Sequence, residues 1–103
     1  MWVNSNNNAE KVTITDSKNG LVNATGGVPF VGAKVVVPYG VVSIPVQGAN
    51  AVMLDVNGQP VCLGVLQGDS TLEMGEIMLY SKGGASIVLK NNGKVYINGK
   101  EVT

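Results

Sequence analysis

Short apolar runs alternate with polar residues along most of the chain, and turn residues separate these runs at nearly regular intervals. The segment Lys11–Asp16 places Val12 and Ile14 on one face of an extended strand, because neighbouring side chains in a strand point to opposite faces. Asn57-Gly58 separates two such runs, which is the strongest short-range signal for a β-hairpin. No window has a sustained 3.6-residue period, so we predict an all-β fold with little helix.

Residues 11–67 are predicted to form the first domain. Its candidate strands are Lys11–Asp16, Leu21–Ala24, Ala33–Val37, Val41–Val46, Ala51–Val56 and Val61–Leu66. Pro45 lies inside the fourth run, and because proline cannot donate to a sheet ladder, we expect that strand at an edge, a bulge or a corner. Five or six strands of this length predict a small Greek-key barrel of the OB type.

The C-terminal part of the chain has shorter strands at a tighter spacing. After a predicted linker at 68–75, residues 76–103 contain four candidate strands: Glu76–Ser81, Ala85–Lys90, Lys94–Asn98 and Lys100–Thr103. Alternation gives the first three of them two apolar residues each on one side, namely Ile77, Leu79, Ile87, Leu89, Val95 and Ile97. A sheet of four such short strands cannot cover its own apolar face. Three copies of the chain that pack these faces around a common axis are one way to bury them. The alternative is that residues 72–103 complete a larger sandwich within one chain.

Charge and composition exclude several classes of function. The chain has 103 residues with seven Lys, no Arg and seven acidic residues, and a neutral chain of this kind is a poor binder of nucleic-acid phosphates. It has no His and one Cys, so the usual general base, the commonest metal ligand and the nucleophile–base pairs are missing. We therefore predict no enzyme activity, no metal, no cofactor and no nucleic-acid partner.

A few side chains suggest chemistry, but each also has a simpler explanation. Glu73 and Glu76 are spaced like the paired carboxylates of a glycosidase, although two solvated residues at the start of a strand fit as well. Asp55, Asp69 and Glu73 could bind Ca²⁺, yet no loop has a dense spacing of ligands. Cys62 lies in an apolar strand, where we expect it to be a buried small hydrophobic residue.

The aromatic residues allow two interpretations each. Tyr39, Tyr80 and Tyr96 could form a stacking platform for single-stranded nucleic acid or sugar on an OB-type face, or they could pack against neighbouring strands. Residues 1–10 are polar and Asn-rich, and we predict a mobile arm there. Trp2 within that arm is either an anchor into a partner groove or part of a free end.

The segment 75–100 carries a resemblance to a known family. It begins Gly-Glu-Ile-Met-Leu-Tyr-Ser, continues through a glycine pair to Ser-Ile-Val-Leu-Lys-Asn-Asn-Gly, and closes with Tyr-Ile-Asn-Gly. This order resembles the start of the spike in baseplate assembly proteins of contractile-tailed phages, especially the Mu-like type. The stretches 42–56 and 61–64 are similar to sequence motifs in the OB-fold domain of the same family, so the resemblance covers residues 11–103.

The resemblance implies a fold and a function. The fold is an OB-fold domain followed by a short intertwined trimeric β-helix, a triangular prism with the six apolar residues of 76–103 as its trimer core. The function is that of a structural virion protein, the homotrimeric central spike. It caps the tail tube, docks on the baseplate hub protein and pierces the host cell envelope when the sheath contracts.

The same resemblance implies where the protein acts. No secretory signal or transmembrane stretch is visible, so we expect synthesis and assembly in the host cytoplasm and a final place at the tail tip of a phage, tailocin or related particle. Two features depart from the family: the His-x-His metal site of many spike tips cannot form without His, and the needle is short. A short needle could take a separate tip protein. The alternative function is an OB-like carbohydrate- or protein-binding module without a spike role.

Overall fold

The computed structural model describes residues 9–102, and every regular element in this range is a β-strand. The strands are β1 (Glu10–Lys18), β2 (Leu21–Thr25), β3 (Pro29–Val35), β4 (Asn50–Val56), β5 (Gln59–Val65), β6 (Ile77–Tyr80), β7 (Ser86–Leu89), β8 (Val95–Ile97) and β9 (Lys100–Val102). They form two compact units that divide between Gln67 and Gly68. The predicted all-β class is confirmed. Residues 9–102 contain no helix with the length and apolar character needed to span a membrane.

The first unit is a closed barrel with the strand order β1-β2-β3-β5-β4, in which β4 returns to pair with β1. The pair β3 and β5 is parallel, and the other four neighbouring pairs are antiparallel. Closure removes the free sheet edges that would otherwise offer unpaired N–H and C=O groups to other chains. A closed five-stranded barrel is compatible with the OB-like fold that the sequence predicts.

Small and medium-sized apolar side chains fill the barrel. Its buried residues are Val12, Ile14, Val22, Ala24, Ala33, Ala51, Met53 and Cys62. Val12 and Ile14 share one face of β1, as predicted, because side chains two positions apart in a strand point the same way, and the structure places that face inside the barrel. Cys62 is fully buried, which confirms its expected place as a small apolar side chain.

Two Asn-Gly pairs make the tight hairpins of the barrel. Between β1 and β2, φ is 55° at Asn19 and 80° at Gly20, and between β4 and β5, φ is 52° at Asn57 and 83° at Gly58. A type I′ turn requires positive φ at both central residues, and asparagine and glycine tolerate this conformation best. The hairpin predicted at Asn57-Gly58 is therefore confirmed.

A loop of residues 36–49 stands where the sequence predicts a strand at Val41–Val46, so that prediction is wrong. Pro38 and Pro45 lack the backbone N–H that a ladder requires, and β-branched residues alone do not make a strand. Turns occupy the segment instead; for example, the Val41 N–H donates to the Pro38 carbonyl at 3.0 Å. The preceding strand, predicted at Ala33–Val37, also lies earlier in the chain, as β3.

The second unit is an antiparallel meander with the strand order β6-β7-β8-β9. Asn98 and Gly99, with φ of 52° and 82°, form the last hairpin between β8 and β9. Asn98 also ties the end of β8 to the start of β7: its N–H donates to the Ser86 carbonyl at 2.9 Å, and its Oδ1 accepts the Ser86 N–H at 2.9 Å. Backbone and side chain of one residue thus fix the register of this end of the sheet.

Asn23 links three strands of the barrel where the sheet register shifts. The shifts occur in β1 just before Asp16 and in β2 at Asn23 itself. The Asn23 Nδ2 donates to Asp16 Oδ1 at 2.7 Å, and the Gly32 N–H donates to Asn23 Oδ1 at 2.8 Å. Side-chain hydrogen bonds therefore replace ladder bonds that these shifts interrupt.

We predict that Asn23→Ala lowers the free energy of unfolding by about 1–3 kcal/mol, because it leaves the Gly32 N–H and the Asp16 carboxylate without this partner. Urea unfolding followed by far-ultraviolet circular dichroism at fixed protein concentration measures the loss. Asn50→Ala is the matched control. The Thr13 hydroxyl donates to Asn50 Oδ1 at 3.4 Å on the exposed surface, and we expect the substitution to lower the free energy of unfolding by less than about 0.5 kcal/mol. Equal losses in the two variants would contradict this role of Asn23.

Candidate functional site

One face of the second sheet is apolar across three strands. We define this apolar face as Ile77, Leu79, Ile87, Leu89, Val95 and Ile97. The register places Ile77 opposite Leu89 and Leu79 opposite Ile87, and β8 continues both rows. Directly opposed residues of an antiparallel pair share a face, so the structure brings together all six residues that the sequence suggests as a trimer core. Their role in a trimer stays a prediction.

The apolar face is open to solvent. Five of its six side chains are between 40% and 60% exposed, whereas the buried residues of the barrel core are at most 3% exposed. Val95 is half-buried. A contiguous apolar surface of this kind marks an interaction site or an aggregation hazard. It is therefore the leading functional surface among the residues that the structure describes.

β9 extends the apolar face in a way that the sequence reasoning missed. Val102 lies opposite Val95 and adds a seventh apolar residue, whereas Lys100 lies opposite Ile97 and ends the apolar row with a charge. The alternation of polar and apolar residues within β9 is the sequence signal that could have predicted Val102. A three-residue strand is too short for this pattern to be recognised on its own.

Part of the apolar face is concave. Leu79, Ile87 and Ile97, with Tyr80 and Ser86, line an open depression of about 390 Å³ whose walls are mainly apolar. A small-molecule site of this size normally has several convergent polar groups that orient its ligand. This depression is better suited to apolar side chains of another polypeptide.

The opposite face of the sheet mixes apolar and charged side chains: Met78, Val88 and Tyr96 form one row across three strands, and two ion pairs lie on the same face. Lys90 Nζ lies 3.2 Å from Glu76 Oε1, and Lys94 Nζ lies 3.4 Å from Glu101 Oε1. The second sheet therefore has one face of aliphatic side chains and one face that combines an apolar row with two ion pairs.

The carboxylate of Glu76 is the most highly coordinated polar group of the second unit's described residues. Its Oε1 accepts the Glu73 N–H at 3.0 Å, its Oε2 accepts the Asn91 N–H at 3.0 Å, and Lys90 completes the set. The Glu76 side chain is 3% exposed, so the expectation that Glu73 and Glu76 are both solvated is wrong for Glu76. The partners lie far along the sequence or on the backbone, where no sequence motif reveals them.

These hydrogen bonds change the acidity of Glu76. The Glu73 N–H, then the Asn91 N–H, and then Lys90 hold the pKa of Glu76 below its usual value, while loss of solvation opposes them. The group is therefore a structural anchor in its ionised form. It fastens the segment before β6 to the turn between β7 and β8.

The remaining candidates do not assemble into a site. Asp55 lies in the first unit, whereas Asp69 and Glu73 lie in the second. Among residues 9–102, no three acidic or sulfur side chains are grouped closely enough to hold a metal ion.

The three tyrosines do not all belong to the barrel unit. Tyr39 lies in the loop of residues 36–49, whereas Tyr80 and Tyr96 lie on β6 and β8 of the second sheet, so a three-tyrosine platform on the barrel is wrong. Trp2 and most of the predicted arm, residues 1–10, lie outside the described residues.

Comparison with known proteins adds no family assignment. No protein-family model matches the chain, and no curated protein matches it significantly. A functional proposal therefore depends on the apolar face, the two-unit architecture and the sequence resemblance of residues 11–103.

We predict that Glu76→Gln weakens the second sheet at neutral pH and flattens the dependence of stability on acid pH. The folded-state pKa of Glu76 is depressed, so its contribution is present above the unfolded-state pKa and is lost as pH falls through the folded-state pKa. Urea midpoints of the full chain between pH 7 and pH 3 measure the difference.

Glu73→Gln is the matched control for this pH experiment. Glu73 contributes a backbone N–H and a backbone carbonyl to the contact, and the substitution keeps both. We expect it to retain the wild-type slope against pH. A Glu76→Gln variant with the same slope as the wild type would show that this carboxylate is not the linked group.

Proposed function

We propose that this protein is the homotrimeric central spike of a contractile-tail baseplate. The observation that carries the proposal is the apolar face, six aliphatic side chains on one side of a four-stranded sheet that remain about half exposed in a single copy. The resemblance of residues 75–100 to the start of the Mu-like spike supports this particular assembly over other oligomers. The closed barrel is compatible with the OB-fold domain of that family.

In the proposed trimer, three copies turn their apolar faces towards a common axis. Each inward position then occurs three times, and the sheets form the sides of a short triangular prism, the trimeric β-helix. The Lys94–Glu101 ion pair faces water on the outside, and the Lys90–Glu76 pair lies on the same outer side with the Glu76 carboxylate covered by its partners. Strands about 4.8 Å apart make a four-stranded needle of roughly 20 Å, which is short enough that a separate tip protein is an expected partner.

The proposed mechanism is mechanical, with no chemical step. The barrel docks on the hub protein and closes the tail tube, and sheath contraction drives the assembled spike against the host envelope. Closed or symmetry-packed sheets suit this task, because their backbone groups are paired and their side chains are close-packed, so they deform little. The protein acts at the baseplate of the particle.

The alternative function is a binding module that recognises a carbohydrate or a protein through its barrel. The fully exposed ring of Tyr39, in the loop of residues 36–49, favours it. The two proposals differ in oligomeric state, since a binding module of this kind has no need of a trimer.

We predict that Leu79→Asp abolishes the trimer and that Met78→Asp leaves it intact. Neighbouring residues of β6 point to opposite faces, so the same charge enters the axis three times in one variant and stays in water in the other. Burial of each unpaired carboxylate costs several kcal/mol. Native mass spectrometry of both full-length variants measures trimer content.

The control substitution must leave the contacts of Glu76 intact. Lys90→Asp also changes the outer face, but Lys90 Nζ contacts the buried Glu76 carboxylate at 3.2 Å, so that substitution would set two carboxylates side by side. Met78 lies opposite Val88 on the outer face, does not line the depression and avoids this conflict. Equal trimer yield from Leu79→Asp and Met78→Asp would refute the proposed inner face.

We also predict that a chain ending at Asp69 is monomeric or associates weakly, because it lacks the whole apolar face. The first unit has its own buried core and closed sheet, so we expect this shortened chain to fold. Sedimentation velocity at micromolar concentration measures its mass. A tight trimer of the shortened chain would place the main interface in the barrel unit instead.

A further inference from the structure

The barrel has an apolar surface on its outside, across β3, β5 and β4. Neighbouring residues of a strand point to opposite sides, so the residues on either side of the buried Met53 and of the buried Cys62 face outwards. Val36 continues this surface at the end of β3, because its N–H donates to the Cys62 carbonyl at 2.9 Å. We define the outer barrel face as Val36, Val52, Leu54, Val61 and Leu63, with the two lysines that border it, Lys11 and Lys34. Its aliphatic residues are half-buried or exposed.

A lysine borders the aliphatic residues on each side. Lys34 lies opposite Val61 in the parallel pair of β3 and β5, and Lys11 lies opposite Val52 in the antiparallel pair of β1 and β4. Both lysines are exposed. The order β3-β5-β4-β1 puts three strand spacings between them, or roughly 14 Å.

The carboxylates of the described barrel residues do not balance these lysines. Glu10 and Asp55 are each next in sequence to a residue of the outer barrel face, so alternation turns them away from it. The Glu10 carboxylate accepts the Gly27 N–H, and Asp16 is bonded to Asn23 in the pair of β1 and β2. Within residues 9–102, the two ion pairs both lie in the second unit. The outer barrel face therefore has a net positive charge.

A β-bulge presents Leu63 on this surface. Its two neighbours in β5 pair with Met53 and Val52, which are consecutive in β4, so Leu63 has no partner there. At Gly64 φ is 144°, a conformation that glycine adopts at no steric cost. Leu63 is 45% exposed. Bulges of this kind re-aim a side chain and are over-represented beside functional sites.

We propose that the outer barrel face is a docking site for an acidic protein surface, one that sets aliphatic side chains between two carboxylates. An uncharged partner would take the lysine ammonium groups out of water without compensation, whereas carboxylates of the partner complement them. Two lysines at this distance are too few for a nucleic-acid or phospholipid surface, which requires clustered positive charge. This inference rests on the proposed function, in which the partner is the baseplate hub protein.

The probe for this site is a synthetic heptapeptide, Ser-Glu-Thr-Leu-Thr-Glu-Ser. When the peptide is extended, its two glutamates share one side with the leucine and lie roughly 14 Å apart, which matches the separation of the two lysines. Titration into the isotope-labelled full chain, followed by amide chemical shifts, locates the contact and gives a dissociation constant. We expect saturable shifts at Val52, Leu54, Val61 and Leu63, and weaker binding of the same peptide with glutamine in place of both glutamates.

Three single substitutions test the role of the lysines. Lys11→Gln and Lys34→Gln each remove one charge from the outer barrel face, and Lys18→Gln makes the same change at the end of β1, opposite Leu21 in the hairpin. We expect each of the first two variants to weaken peptide binding about twofold to fivefold. The Lys18→Gln control should bind as the wild type does.

The outcomes separate this inference from the spike proposal. Absence of saturable shifts, or equal binding of the glutamate and glutamine peptides, overturns the docking site and leaves the spike proposal standing. Easier trimer dissociation in Lys11→Gln or Lys34→Gln would assign the face to a contact between copies, and lysine-dependent flotation with phosphatidylglycerol vesicles would assign it to lipid headgroups; either result overturns the inference. A monomeric wild-type chain that still binds the glutamate peptide overturns the spike proposal and supports an acidic partner other than the hub.

Discussion

The four-stranded sheet of the second unit exposes an apolar face that its own unit does not cover. A sheet is stable when a second layer packs on that face, because burial of apolar surface contributes about 25 cal/mol for each Å² removed from water. The barrel satisfies this requirement by closing on itself around eight buried residues. The meander does not, since its Ile and Leu side chains remain about half exposed.

The other features of the second unit are consistent with packing of that face against other copies. The ion pairs lie on the side away from the apolar face, so packing of the apolar face does not change the surroundings of those charges. Glu76 fixes the chain just before β6 through two backbone N–H groups and Lys90, and Asn98 fixes the end of β8. These contacts give a small sheet a defined register without a core of its own. A defined register decides which residues are presented together, because a slip of one residue would exchange the two faces.

The parts of the fold that could be predicted from the sequence are those with local causes. Asn57-Gly58 marks its hairpin through positive φ, and the alternation around Ile77 and Leu79 gives the apolar face because strand period is local. The strand predicted at Val41–Val46 was wrong because β-branched residues also occur in loops, where Pro38 and Pro45 prevent a ladder. Glu76 was misjudged because its partners come from the backbone of Glu73 and from Asn91, which only the folded register brings near.

In the proposed assembly three copies cover each other's apolar faces, and the mass of the unmodified chain in solution is a direct test of this arrangement. Size-exclusion chromatography coupled to light scattering at micromolar concentration measures that mass without a variant or a partner. We expect a single species with three times the 10.7 kDa of one chain. A single species at 10.7 kDa would contradict it, and would favour a binding module that works as one copy.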